Sequence, residues 1–357
     1  MLDDLIENAR EALRLPLIDG ERCVHSMIEN GSCRKCVESC PEDAWVIDDE
    51  QVGIQPDLCD GCGLCAAACP EGAILHDYQP RLHSWNQRTL AMVACEKSGA
   101  AIPNDSIIPC LHALGLNHLL DLYGQGCHFL FTLSGNCKTC SRGGTASIKQ
   151  HLQAINRMLT SRNLPPLLLK PSNASVWKRV YFKSVPSVPD SQLDRRSFFR
   201  RATAELIQKG IEYAGIDEES DNFTPPGAIV PTIDHDRDIY PFVPVLDKNS
   251  CTGCHACVQT CPHQAIALEE SDRKEIHYAI DARLCTGCDI CTDICSENAL
   301  TIERWRQNES REIPLSQNRC SICGVSIQRP LTDKQGHHIC HVCSRTNHHK
   351  NLFQILE

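Results

Sequence analysis

Regularly spaced cysteines constrain this chain more than any other feature. Between residues 251 and 295, three cysteines stand with two residues between neighbours, a fourth follows after three more, and the whole run then recurs. Three thiolates at this spacing wrap one loop around three corners of an iron–sulfur cube, and the fourth cysteine reaches the cube held by the other run. Zinc sites use pairs of cysteines instead, and a disulfide framework needs an oxidising compartment. The spacing therefore predicts two [4Fe-4S] clusters, with the ligand sets Cys251, Cys254, Cys257, Cys295 and Cys285, Cys288, Cys291, Cys261.

An imperfect copy of this pattern lies near the N-terminus. Its second run is complete, but its first run lacks one cysteine and holds Asn30 at the expected position. We expect Cys23 to fill that corner across an enlarged loop, because Asn30 and Gly31 suit tight turns. The alternative is a free Cys23 and a three-iron cluster. By analogy with the complete pair, the predicted ligand sets are Cys23, Cys33, Cys36, Cys69 and Cys59, Cys62, Cys65, Cys40.

A short repeat follows each cysteine run. Proline or serine, two variable residues and an alanine precede a few apolar residues, and the copies begin at Pro41, Pro70, Pro262 and Ser296. The repeat indicates a helical turn that leads into a short strand, the unit of a small α+β module. At these residues the chain resembles the bacterial two-cluster ferredoxins, present twice. The resemblance implies one ferredoxin module over residues 20–82 and a second over 235–306. Ser296 in place of proline and the stretched first run are departures from the family pattern.

The residues between the modules predict a small parallel α/β domain over 84–185. Apolar strand patterns alternate with helical periodicity, and a further strand is predicted at 176–182. Three of the predicted strands end beside cysteines, which are Cys95, Cys110, Cys137 and Cys140. Ligand sites of such sheets lie beyond the carboxyl ends of the strands, so these four sulfurs are candidates for a metal or cluster site. Cys127 begins a strand and is expected in the core.

This segment resembles the small iron–sulfur subunit of methyl-viologen-reducing hydrogenases, which passes electrons between a hydrogenase and a disulfide reductase. That family carries an early cysteine pair, whereas Cys95 stands alone here. Structural zinc, or buried cysteines without metal, are the alternatives for this domain.

Three further segments complete the predicted organisation. Residues 1–19 form an amphipathic helix, residues 186–234 form a helix and an extended linker that continues through Pro241 and Pro244, and residues 318–345 form a zinc-ribbon-like tail. The tail ligands are two cysteine pairs, Cys320, Cys323, Cys340 and Cys343. Four sulfurs on two turns suit a structural zinc ion, and a rubredoxin-like iron is the redox-active alternative. We expect the tail to fold around its ion independently of the cubanes.

Composition narrows the function. The 357 residues include 25 cysteines, far more than an ordinary cytosolic enzyme uses unless metals occupy them. We expect a soluble, cytoplasmic protein, because neither a signal sequence nor an apolar run of membrane-spanning length is evident. The formal net charge of −10 disfavours nucleic acid and favours basic redox partner proteins, such as a dehydrogenase or a reductase.

These features favour an electron-transfer protein that relays single electrons through [4Fe-4S] clusters, rather than an enzyme. An accessory or maturation factor for a larger metalloenzyme, such as a molybdenum-dependent dehydrogenase, is the alternative. A catalytic subunit is a third interpretation, but Gly143-Gly144-Thr145 is not followed by the Gly-Lys of a Walker signature. The predicted fold class is α+β, with two ferredoxin-like modules flanking a small parallel α/β domain and a C-terminal zinc-ribbon-like unit.

Overall fold

The chain divides into two compact units. The computed structural model describes residues 15–48, 52–76, 78, 80–99, 106–142, 148–187, 223–234, 237–332 and 339–346. One unit comprises residues 1–27 and 34–231, and the other comprises residues 28–33 and 232–357. Both mix helices and strands, in agreement with the predicted α+β class. Most of the predicted N-terminal helix and of the predicted helix after residue 187 lies outside the described residues, and the proposed domain boundaries stay predictions. No helix in the described ranges is long and apolar enough to cross a bilayer.

The N-terminal part of the first unit consists of short elements around the cysteine runs. They are β1 (Leu17–Ile18), α1 (Val24–Met27), α2 (Lys35–Ser39), β2 (Trp45–Ile47), β3 (Val52–Ile54), α3 (Leu64–Ala68) and β4 (Ile74–Leu75). β1 pairs with β4, and β2 pairs with β3, both antiparallel. Helices α2 and α3 lie within the cysteine runs and are capped by Cys40 and Cys69. The short strands follow the repeat as predicted, but Pro41 and Pro70 begin plain turns and not the predicted helical turn.

The middle part of the first unit is built on one sheet. Its elements are β5 (Arg81–Trp85), β6 (Arg88–Cys95), β7 (Ile107–Ile108), α4 (Leu116–Gly124), β8 (Cys127–Leu133), α5 (Ile148–Ser161), β9 (Leu168–Pro171), α6 (Ala174–Lys183) and β10 (Val185–Pro186). The strand order is β10-β5-β6-β8-β9, with β7 also paired to β6. Strands β6 to β9 are parallel, as predicted. Cys127 is fully buried at the start of β8, also as predicted.

The sheet is nevertheless mixed rather than purely parallel. β5 runs antiparallel to β6 and β10 runs antiparallel to β5. The cause is a two-residue hairpin at Asn86 and Gln87, which adopt φ angles of 50° and 60°. Two left-handed residues match the right-handed twist of the flanking strands, but glutamine is an unusual residue at such a position.

The predicted strand over residues 176–182 is wrong, because this segment is helix α6. The Asn173 side chain accepts a hydrogen bond from the Val176 amide at 2.9 Å and so caps the helix. Trp177 is completely buried and Val180 is 6 % exposed, three residues apart, which is the spacing of one helix face. The Tyr181 ring stacks on Trp177 with 5.2 Å between centroids. Valine and aromatic residues suggested a strand, yet here they form the apolar face of a helix.

The second unit repeats the ferredoxin pattern and extends it. Its elements are β11 (Ile239–Leu246), α7 (Ala256–Thr260), β12 (Ile266–Glu270), β13 (Ile276–Ile280), α8 (Ile290–Asp293), β14 (Leu300–Gln307), β15 (Glu312–Arg319), β16 (Ser326–Pro330) and α9 (His341–Arg345). β11 pairs with β14, so Pro241 and Pro244 lie in a strand and not in an extended linker. The sheet has two strands, and proline is tolerated on such edges.

The tail is joined to this module through the sheet. The four-stranded order is β12-β13-β15-β16. β15 pairs with β13, for example Tyr278 with Ile313, and with β16, for example Leu315 with Pro330. The zinc-ribbon-like tail therefore begins as an extension of the ferredoxin sheet.

Candidate metal centres

Three of the four cysteine runs share one backbone conformation. The residue before the second cysteine is Gly61, Gly253 or Gly287, with φ angles of 67°, 71° and 74°. The residue after that cysteine is also left-handed, even where it is not glycine: Gly63, His255 and Asp289 have φ angles of 76°, 61° and 68°. Left-handed residues on both sides curl the loop, and the amides of Gly61, Gly253 and Gly287 donate to the sulfur of the first cysteine in each run.

The curled loop at residues 251–257 encloses a cavity that also receives a cysteine of the other run. Its sulfur-bearing lining residues are Cys251, Cys254, Cys257 and Cys295. Leu246, Tyr278 and Leu300 line the apolar side. Burial raises the pKa of Cys257 to about 12, and the neighbouring charges of Cys251, Cys254 and Cys295 act in the same direction. Four sulfurs around one cavity form a donor set that suits a metal ion or an iron–sulfur cluster, which cysteine binds as the thiolate.

The reciprocal arrangement is found at the other run of this module. Burial raises the pKa of Cys285 to about 12, and the charges of Cys288 and Cys261 add to that shift. Burial also raises the pKa of Cys291, and the charge of Cys261 adds to that shift. Cys261 thus lies beside the run from Cys285 to Cys291, although it ends the other run.

At three of the runs, the repeated alanine has a role that the sequence did not reveal. The Ala44, Ala265 and Ala299 amides donate to the sulfurs of Cys40, Cys261 and Cys295 at 3.4, 3.2 and 3.3 Å. These alanines are at most 3 % exposed. Amide hydrogen bonds to cluster sulfurs stabilise negative charge and tune the reduction potential. The small side chain lets the chain turn tightly enough for the amide to reach the sulfur.

The N-terminal module assembles its sulfurs around one apolar core. Trp45, Cys65, Ala66 and Ile74 form the buried part of this core, and the residues packed around it include Cys36, Cys40 and Cys69. Burial raises the pKa of Cys59, and the charge of Cys40 adds to that rise. Cys40 therefore lies near the other run, to which Cys59 belongs.

The stretched first run differs from the other three. Cys23 caps a 3₁₀ turn over Gly20–Arg22 and is partly buried. A turn closes from the Gly31 amide to the Ile28 carbonyl at 3.3 Å, as expected of this enlarged loop.

The tail cysteines form a compact quartet. The sulfurs of Cys320, Cys323, Cys340 and Cys343 all lie within 4.8 Å of one another. Burial acts to raise the pKa of Cys320, but hydrogen bonds from the amides of Cys323, Cys340 and Ile322 outweigh it and lower that pKa to about 5. A tetrahedral ion with Zn–S bonds of about 2.3 Å needs sulfurs this close together.

The four middle cysteines follow parallel strands, whose carboxyl ends lie at one edge of the sheet. Cys95 ends β6, Cys110 follows β7, and Cys137 and Cys140 lie in the loop after β8. A Cβ on Gly135 would overlap the Lys97 carbonyl, so this loop lies directly on the segment after Cys95. Burial raises the pKa of Cys110 to about 11, and the charges of Cys95, Cys140 and Cys137 add to the shift. Among the described residues, the compact spacing of the tail quartet is not found here.

Two arginines at these sites were missed by sequence reasoning. Arg142 is 5 % exposed. Its guanidinium donates to the Glu96 carboxylate, which follows Cys95, and to the Pro109 carbonyl, which precedes Cys110. Arg329 donates to the Thr252 carbonyl at 3.3 Å and to the Ile339 carbonyl at 3.0 Å, and so joins a cubane loop to the tail quartet. The proximity of Arg142 to Cys140 in sequence was the one available signal.

Curled thiolate loops of this kind, present in two modules, define a polyferredoxin-like iron–sulfur protein that acts in electron transfer and binds [4Fe-4S] clusters. Residues 250–299 match the family model of the 4Fe-4S dicluster domain, and residues 52–75 match that of the 4Fe-4S binding domain. The chain is 35 % identical over 51 residues to an uncharacterized ferredoxin of Methanocaldococcus jannaschii, which is 82 % of that protein and 14 % of this chain. The chain therefore belongs to the ferredoxin family.

Two other relatives share the cluster-binding stretches. The ferredoxin-type protein NapF of Escherichia coli is 39 % identical over 64 residues, which is 16 % of this chain and 38 % of NapF. The pyruvate synthase subunit PorD of Methanothermobacter marburgensis is 36 % identical over 59 residues, which is 16 % of this chain and 60 % of PorD. The match thus spans less than two thirds of either protein.

Proposed function

We propose that this chain relays single electrons between two redox proteins through four [4Fe-4S] clusters. The observation that carries the proposal is the cavity in which Cys295 meets Cys251, Cys254 and Cys257. Sulfurs from two runs around one cavity fit the ligand exchange of two-cluster ferredoxins. Cubanes supply one-electron chemistry when bound, while the protein sets their potentials through hydrogen bonds and burial.

The remaining ligand assignments rest on the same logic. Cys261 completes the ligand set of the run from Cys285, and Cys40 completes that of the run from Cys59. The charge of each of these two cysteines adds to the raised pKa of the first cysteine in the run that it completes. Cys69 completes the set of Cys23, Cys33 and Cys36. Four cubanes in two modules follow from these assignments.

The tail and the middle domain are proposed as two further sites. The compact quartet at Cys320, Cys323, Cys340 and Cys343 holds structural zinc, since four thiolates leave no open coordination position. The wider quartet of Cys95, Cys110, Cys137 and Cys140 holds a metal or a small iron–sulfur cluster. Its sulfurs interact without the close approach that a single ion needs, which favours a cluster.

The partners are proposed to be a dehydrogenase or a reductase with a basic docking face. The net charge of −10 attracts such a face and raises the rate of encounter at low salt. The relationship to PorD, a subunit of pyruvate synthase, supports a place beside an oxidoreductase.

Anaerobic purification with iron analysis and a redox titration followed by EPR tests the function. We expect iron near the content of four cubanes, about sixteen per chain, and reversible one-electron reduction. Clusters that are present but stay oxidised throughout the physiological potential range would overturn the relay and favour the accessory factor.

A further inference from the structure

Arg142 ties together three loops that carry proposed ligands. Its Nε donates to the Asp60 carboxylate, and its Nη2 donates to the Asp60 backbone carbonyl at 3.1 Å. Its Nη1 donates to the Glu96 carboxylate at 2.8 Å and to the Pro109 carbonyl at 3.1 Å. Asp60 lies between Cys59 and Cys62 in the cubane loop, while the other two partners are the direct sequence neighbours of Cys95 and Cys110. One buried side chain therefore spans the cubane loop and the middle quartet.

The guanidinium of Arg142 carries a fixed positive charge. Burial acts to lower its pKa, but hydrogen bonds and charge interactions with Glu96 and Asp60 outweigh burial and raise it. That charge lies against the loop that carries Cys59 and Cys62, because both the carboxylate and the backbone carbonyl of Asp60 accept from Arg142. A positive charge beside a cluster stabilises its more negative, reduced form and so raises its reduction potential.

Close packing keeps the two ligand sets adjacent. The Tyr78 hydroxyl donates to the Ala113 carbonyl at 2.7 Å, while its ring lies against Gly63, where a Cβ would be 2.6 Å from the ring atom Cε1. Burial raises the pKa of the Tyr78 hydroxyl, and the charges of Cys65, Cys110 and Cys62 add to that rise. It therefore lies between the cubane sulfurs and the middle quartet.

We propose that Arg142 is a positioning residue that ties the loop of the proposed Cys59 cubane to the loops of the middle quartet. It holds the two ligand sets at a fixed separation, and its charge raises the potential of that cubane. The inference rests on the proposed electron relay and adds a named connection within it.

The test compares Arg142→Gln with Arg142→Lys in the full-length, anaerobically reconstituted chain. Iron content and the midpoint potentials of all reducible clusters are measured by EPR-monitored titration. We expect Arg142→Gln to lower the potential of one cubane and to leave the others in place, because the charge is lost. Arg142→Lys keeps the charge and shifts that potential less. The control is Arg162→Gln, which removes another buried arginine, one that donates to the Met158 carbonyl at 3.1 Å.

Unchanged potentials in an Arg142→Gln protein with full iron content would overturn the inference. If Arg142→Gln loses iron, the potentials of a Glu96→Gln protein are measured instead. This second variant removes an anionic partner of Arg142 and leaves Arg142 in place. The same cubane should then shift to higher potential, and an unchanged potential in Glu96→Gln contradicts the proposal. A wild-type chain without any reducible cubane would instead contradict the proposed function itself.

Discussion

Gly253 lies so close to the backbone carbonyl of Gln328 that a Cβ on Gly253 would overlap its oxygen. Gly253 belongs to the ligand loop of the proposed Cys251 cubane, and Gln328 belongs to β16 of the zinc-ribbon-like tail, here called the ribbon. The ribbon thus covers one cluster loop of the second module, and the expectation that the tail folds independently needs revision.

Replacing Gly253 by alanine should displace the ribbon and release iron. Left-handed backbone costs about 1–2 kcal/mol for an L-residue, and the overlap with Gln328 adds to this cost. Denaturant unfolding and iron analysis measure the effect. Gly324→Ala is the matched control, because Gly324 has φ 75° with nothing within 4 Å of a Cβ. Equal losses in the two variants would mean that the contact with Gln328 contributes nothing.

Zinc removal should change the spectrum of the Cys251 cubane and of no other. Arg329 connects the carbonyl that precedes Cys340 to the carbonyl of Thr252 in the cubane loop, so loss of the ion releases both. Chelation followed by EPR of the reduced protein checks this. Arg329→Met should produce the same change without chelation, whereas Arg273→Met, at an exposed position, should not. An unperturbed spectrum after complete zinc loss would restore the independent tail.

Cys295→Ser should disturb the cubane held by Cys251, Cys254 and Cys257. The serine leaves that cavity with three thiolates, since Cys295 lines it. Cys261→Ser should disturb the other cubane of the module, and comparison of the two EPR spectra shows which cluster each variant affects. Ser296→Pro keeps every sulfur and restores the family pattern, so its spectrum should match the wild type. Identical changes in both cysteine variants would refute the exchange.

Cys23→Ser should convert one N-terminal cubane into a three-iron cluster. The first run has no other cysteine for that corner, and a serine hydroxyl is a poor ligand for iron. The oxidised protein should then show the EPR signal of a three-iron cluster and lose about one iron per chain. A wild-type protein that already shows this signal at full intensity would instead support a free Cys23.

Much of the site was predictable because the chemistry is local. A thiolate spacing of two residues fixes the loop, and the repeated Pro-x-x-Ala pattern marks the turn that leads into a short strand. The parallel strands β6, β7 and β8 were predictable from the alternating strand and helix patterns. A common site of Cys95, Cys110, Cys137 and Cys140 beyond those strands stays a prediction.

The remainder depends on contacts between residues distant in sequence. Arg142 and Asp60 are 82 residues apart, and no local pattern marks an arginine as the partner of a distant carboxylate. The pairing of β15 with β13 could not be predicted either, because the alternating apolar residues of β15 would fit any sheet edge. Helix α6 was misjudged because its capping residue Asn173 outweighs the strand propensity of valine and aromatic residues.

The pairing of β15 between β13 and β16 has a consequence for biosynthesis. A nascent chain that has emerged only as far as β14 carries all eight cysteines of the second module, yet the outer edge of β13 is still unpaired. Open strand edges recruit other chains. The sheet of the second module is therefore complete only after the ribbon strands have left the ribosome. Iron insertion before that moment would take place in an unfinished sheet.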